Sequence, residues 1–96
     1  MILQWIMNWR NAQCDGCWES DYGITIETCE NPGWGVKIDI LDTELEGKEF
    51  SEIRNDNGDN DWMFCYLQDG KFQGYGDTFK LEDILTVFKE WAERES

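Results

Sequence analysis

Two kinds of hydrophobic spacing divide the chain. Ile2, Trp5, Ile6, Trp9 and Gln13 recur at helical intervals, and Leu3 and Met7 widen the apolar stripe, so the opening segment reads as an amphipathic helix that stops before Gly16. An irregular stretch from Asp15 to Gly23 follows. The period then becomes two. Ile24, Ile26 and Thr28 alternate with Thr25, Glu27 and Cys29, and Trp34, Val36, Ile38 and Ile40 alternate with Gly35, Lys37 and Asp39. With the Asn31-Pro32-Gly33 turn signal between them, the two runs predict an antiparallel hairpin. Asp42 to Lys48 is polar and reads as a loop with a short extended piece near Leu45. Phe50 to Arg54 is a third strand, and Trp62 to Leu67 a strong one after the Asn57-Gly58 turn. Asp69-Gly70 then predicts a tight hairpin into Lys71 to Tyr75. Leu81, Ile84, Leu85, Phe88, Trp91 and Ala92 return to helical spacing, with Glu82 and Asp83 at the end where the helix dipole favours acids. Helix, four or five antiparallel strands, helix defines an α+β domain spanning residues 1–96, with both helices on one face of the sheet.

The composition adds a strong charge. Twenty-one Asp and Glu against eight Lys and Arg give −13. Such a surface disfavours nucleic acid, whose phosphates need Lys and Arg, and disfavours an anionic membrane. It suits a basic protein partner. Residues 11–36 hold five acids and no Lys or Arg, and residues 42–61 hold eight acids and two bases. In the first stretch Asp15, Glu19 and Asp21 interleave with Trp18 and Tyr22, which is the pattern of aromatic anchors within an acidic rim. Trp34, Asp59 and Asp61 are further candidates for partner contact. The alternative for Trp18 and Tyr22 is that they plug the core. Six Trp, however, exceed what one core of this size fully buries.

Chemistry is limited by what the chain lacks. It has no His, which excludes Ser-His, Cys-His and His-metal arrangements, and no phosphate-cradling Gly-rich loop. Carboxylate pairs are too abundant to single out a catalytic one, so no catalytic residue is assigned. Cys14 and Cys17 form one C-x-x-C; Cys29 and Cys65 complete a four-thiolate set only if the fold joins them. A small cysteine-based metal or redox module, and an acidic mimic of nucleic acid, are therefore the rival readings, and the expected assignment has no metal and no cofactor. The acidic run from Asn55 to Asp61 fails as an EF-hand, since Gly58 at position 6 places Ile53 at position 1. The apolar start lacks a basic leader and a small-residue cleavage site, and no stretch approaches the roughly 20 apolar residues of a membrane span. A cytoplasmic protein, monomeric or weakly dimeric, is the expectation.

Several pieces of the sequence match a known family. Trp5 and Trp9, Gln13-Cys14-Asp15-Gly16, Trp18-Glu19 and Tyr22-Gly23 are followed by Ile26-Glu27-Thr28, Asn31-Pro32-Gly33-Trp34 and Val36-Lys37-Ile38-Asp39. The run Thr43 to Phe50, then Asp61-Trp62, and the closing Leu81 to Trp91 helix complete the set. In these the chain resembles the immunity protein 53 family of bacterial polymorphic toxin systems over nearly its whole length. It departs at Ser20, where a His is common. The resemblance implies an antitoxin that binds and blocks a cognate toxin domain, with an acidic surface suited to a basic target.

Overall fold

In the computed structural model, which describes residues 1–30 and 32–95, the predicted α+β order holds. Helix α1 (Ile2–Gln13) and a one-turn helix α2 (Trp18–Asp21) precede strands β1 (Ile24–Cys29) and β2 (Gly33–Asp39). Strands β3 (Ile53–Asp56), β4 (Trp62–Gln68) and β5 (Lys71–Gly76) follow, and helix α3 (Leu81–Glu95) closes the chain. Asn31, in the predicted first turn, lies outside the described residues.

The five strands form one antiparallel sheet in the order β1-β2-β5-β4-β3. The Asp69-Gly70 turn has both central residues at positive φ, 56° and 73°, as a two-residue hairpin loop needs. The third strand lies at 53–56 and not at 50–54. Phe50 is drawn out of the strand because its ring packs edge-on against Phe72 and Trp91 in the core.

Strand alternation assigns the faces. Val36, Ile38, Phe72 and Cys65 point to one side, where they are fully buried with Ile84, Leu85, Phe88 and Trp91 of α3. Ile6 and Trp9 of α1 join this core, and Trp9 meets Phe88 edge-on at 5.0 Å. The close approach of α3 depends on missing side chains. A Cβ at Gly74 would overlap Ile84 Cγ2, and one at Gly76 would lie 2.6 Å from Lys80 Cβ.

The segment from residue 40 to 52 carries the chain from β2 to the far edge of the sheet on the helical side. It is held by three buried Trp. The indole N–H groups of Trp9, Trp18 and Trp91 donate to Glu44 Oε1 at 3.0 Å, the Leu41 carbonyl at 3.0 Å and the Glu49 carbonyl at 2.8 Å. Leu45 at its centre is fully buried. The polar residues around Leu45 are thus a turn-rich strap whose single apolar plug sits in the core, with no extended piece.

The glycine dependence is directly testable. Gly74→Ala should cost roughly 1–3 kcal/mol by overpacking against Ile84. Gly23→Ala, where a Cβ meets nothing within 4 Å, should stay within about 0.5 kcal/mol. Urea unfolding of the two variants checks this; equal costs would contradict the close α3–sheet packing.

Candidate functional site

The stretch from Asp15 to Tyr22 is more ordered than its sequence suggests. The Asp15 carboxylate accepts the amide N–H groups of Cys17 and Trp18, both at 2.9 Å, and these bonds hold it below the usual carboxylate range. Glu19 reaches back to accept the amides of Asp15 and Gly16 at 3.0 Å. This reciprocal capping winds α2 and turns Trp18 inward. Trp18 is 4% exposed, packed between Trp9 at 6.2 Å and Tyr22 at 5.9 Å. The aromatic pair proposed as an anchor is therefore drawn toward the core: Trp18 is buried and Tyr22 half-buried against it. Of the acids, Asp15 and Glu19 are engaged with backbone amides. Asp21 is exposed and its side chain makes no hydrogen bond or ion pair within the described residues.

The other sequence candidates cluster at the opposite end of the sheet. Trp34 is half-buried, and its indole N–H donates to the Thr78 carbonyl at 2.9 Å. Asp61 pairs with Lys80 at 2.8 Å, which lowers its pKa. Lys80 also binds Asp77 at 2.7 Å. Asp77 is the centre of this clasp. Its carboxylate accepts the amides of Trp62 at 3.0 Å and Phe79 at 2.9 Å as well, which joins the start of β4 to the approach to α3. Asp59 stands exposed on the β3–β4 turn with no partner within the described residues.

A feature that the candidate residues did not include lies between these two ends. Trp62, Phe64 and Tyr66 of β4 alternate with Met63, Cys65 and Leu67, so they face away from the helices. Tyr75 of β5 joins them. All four rings are half-buried and none belongs to the core cluster. Trp62 and Phe64 lie 5.8 Å apart, Tyr66 and Tyr75 stack at 6.3 Å, and the Arg54 guanidinium sits 5.8 Å above Phe64. Tyr75 lies across Gly35, where a Cβ would be 3.0 Å from its ring. Two open recesses flank this row: one of about 400 Å³ over Phe64, Tyr66 and Tyr75, and one of about 480 Å³ between Trp62, Phe64, Asp56 and Asp59. The signal was present in the sequence. A β4 run of Trp-Met-Phe-Cys-Tyr-Leu is apolar or aromatic at every position, whereas an antiparallel strand with one wet face alternates.

The four cysteines are free. Cys65 faces α3 while Cys29 lies on the other face beside Tyr75, so the sheet itself separates them. Among the described residues no three His, Cys, Asp or Glu side chains converge as metal ligands. No described helix is long and apolar enough to cross a membrane.

The described residues form a small α+β domain with carboxylate-bearing loops, an aromatic sheet face and open recesses beside it. The sequence model of the immunity protein 53 family matches residues 3–93, and the chain belongs to that family. No curated protein and no solved structure matches the chain.

Two outcomes follow from the titratable groups. Asp77 is held down from 3.8 to about 2, chiefly by its bond to Lys80 and then by the Phe79 amide. A depressed carboxylate stabilises the fold above its unfolded value, and that contribution is lost as pH falls through the folded one. The melting-temperature advantage over Asp77→Asn should therefore be constant from neutral pH down to 3.8 and shrink between 3.8 and about 2. Parallel curves would contradict the clasp. Burial pushes the Cys65 thiol up to about 12. Thiol-specific labelling read by peptide mass should thus modify the exposed Cys17 quickly and Cys65 only after unfolding; early labelling of Cys65 would contradict its placement.

Proposed function

We propose that this chain is an immunity protein that binds a cognate, basic toxin domain one-to-one in the cytoplasm and neutralises it by occupying its surface, as a binder and not a catalyst. Membership in the immunity protein 53 family carries this reading. The net charge of −13 supports the basic partner, because opposite fields accelerate docking and select against wrong partners. Asp21 and Asp59, exposed and with side chains that have no partner in the described residues, are available for toxin Lys or Arg, and the exposed Asp15 and Glu19 keep free lone pairs beside their bonds to backbone amides. Trp18 acts indirectly in this account, by holding the acidic loop against the core.

The test is association with the toxin domain encoded beside this chain's gene. Calorimetry should give a Kd tighter than about 1 μM, weakening as salt is added, and co-expression should rescue cells from the toxin. No association at micromolar concentrations, or association with no rescue, would overturn the reading.

A further inference from the structure

We infer that the helix-free face of the sheet is the toxin-docking surface, and that the recess between Trp62 and Asp59 receives an arginine side chain of the toxin. The inference rests on the immunity reading above and names the face and the chemistry through which it operates.

The outward residues of β4 are Trp62, Phe64 and Tyr66, and Tyr75 of β5 widens the row. A solvated antiparallel face ordinarily carries polar side chains, and a contiguous aromatic patch left in water marks a surface that another molecule covers. Neither long helix covers it, since α1 and α3 both pack on the opposite side. The patch stands on the interior strands β5 and β4, and Tyr75 is seated in the space left by Gly35. Rigid aromatic rings supply contact area at low entropic cost, which is what the desolvated centre of an interface needs.

Charge selects the occupant. Of the three cations of this face, Arg54 is matched by Glu52 at 3.0 Å and Lys71 by Asp39 at 2.9 Å, while Lys37, near Tyr66 and away from the Trp62 end, makes no ion pair among the described residues. At the Trp62 end the balance reverses. Asp59 has no partner in the described residues, and Asp56 makes only a 3.4 Å bond to the amide of Gly58 in its own turn. A recess lined by Trp62, Phe64, Asp56 and Asp59 offers both aromatic and carboxylate groups to a guanidinium, which stacks on an aromatic plane while its edge donates to carboxylate. Arg54 already lies over Phe64 in this manner, with Glu52 as its carboxylate. A second copy of this chain is the less favourable occupant, because each copy brings −13.

The experiment uses the toxin domain encoded beside this chain's gene, titrated against the whole chain and three variants. Asp59→Lys reverses a charge on an exposed turn where no described bond is lost. Glu90→Lys makes the same change in net charge on the exposed side of α3. Tyr66→Ala removes part of the aromatic bed, with a melting curve to show that it folds. Asp59→Lys and Tyr66→Ala should each weaken binding about tenfold or more, and Glu90→Lys by no more than about threefold. If the unaltered chain binds and both face variants bind equally well, the docking face is wrong while the immunity reading stands. If the unaltered chain does not bind, the immunity reading fails and this inference with it. A stable dimer in sedimentation that Tyr66→Ala dissolves would assign the face to a second copy and overturn the inference.

Discussion

An antiparallel sheet with helices on one side only has one face that must meet water or a partner, and β4 is apolar or aromatic on both of its faces. The organisation of the molecule follows from how the two faces resolve that conflict. On the helical side Met63 and Cys65 are sealed beneath α3, and the thiol of Cys65 is so poorly hydrated that it does not ionise in the ordinary range. On the other side Trp62 packs with Phe64, Tyr66 stacks with Tyr75, and Arg54 lies over Phe64. Pairwise ring contacts recover part of the burial such side chains seek.

The helical side is finished with backbone and indole chemistry. Gly74 and Gly76 let α3 approach the sheet, and Asp77 fixes where the helix begins by holding the Trp62 and Phe79 amides together with Lys80. Three buried Trp spend their only polar atom on the 41–49 strap, so rings that fill the core also hold an acidic segment at its surface. Placing the carboxylates in this way costs little, because every acid of the strap remains exposed. The result is a molecule whose acidity lies mainly in loops around the sheet and in α3, apart from the aromatic row.

Much of this was legible in the sequence. The helical periods of the first and last segments, the period-two runs and the Asp69-Gly70 turn gave the element order and the α+β class, because each element buries one face and so writes its own period. The immunity protein 53 resemblance was equally legible, in the Asp15-Gly16-x-Trp18-Glu19 and Asn31-Pro32-Gly33-Trp34 pieces. The orientation of Trp18 was not. An acid-aromatic interleave reads the same whether the ring points in or out, and only the capping of α2 by Asp15 and Glu19 decides it. The one-turn α2 is too short to show a period, and the strap around Leu45 hides a buried residue among acids. The aromatic row was visible in principle. Its signal was a missing alternation in β4, which identifies a doubly covered strand only once the sheet is known to have helices on one side.

The account stands or falls on whether the open face is covered when the toxin domain binds. Hydroxyl-radical footprinting of the free chain and of its complex with a cognate toxin domain measures this side chain by side chain. The account predicts that Trp62, Phe64, Tyr66 and Tyr75 lose reactivity in the complex while the exposed Leu3 and Met7 of α1 keep theirs. Protection of α1, or of the Asp15 to Tyr22 loop, with the β4 rings as reactive as in the free chain would contradict it.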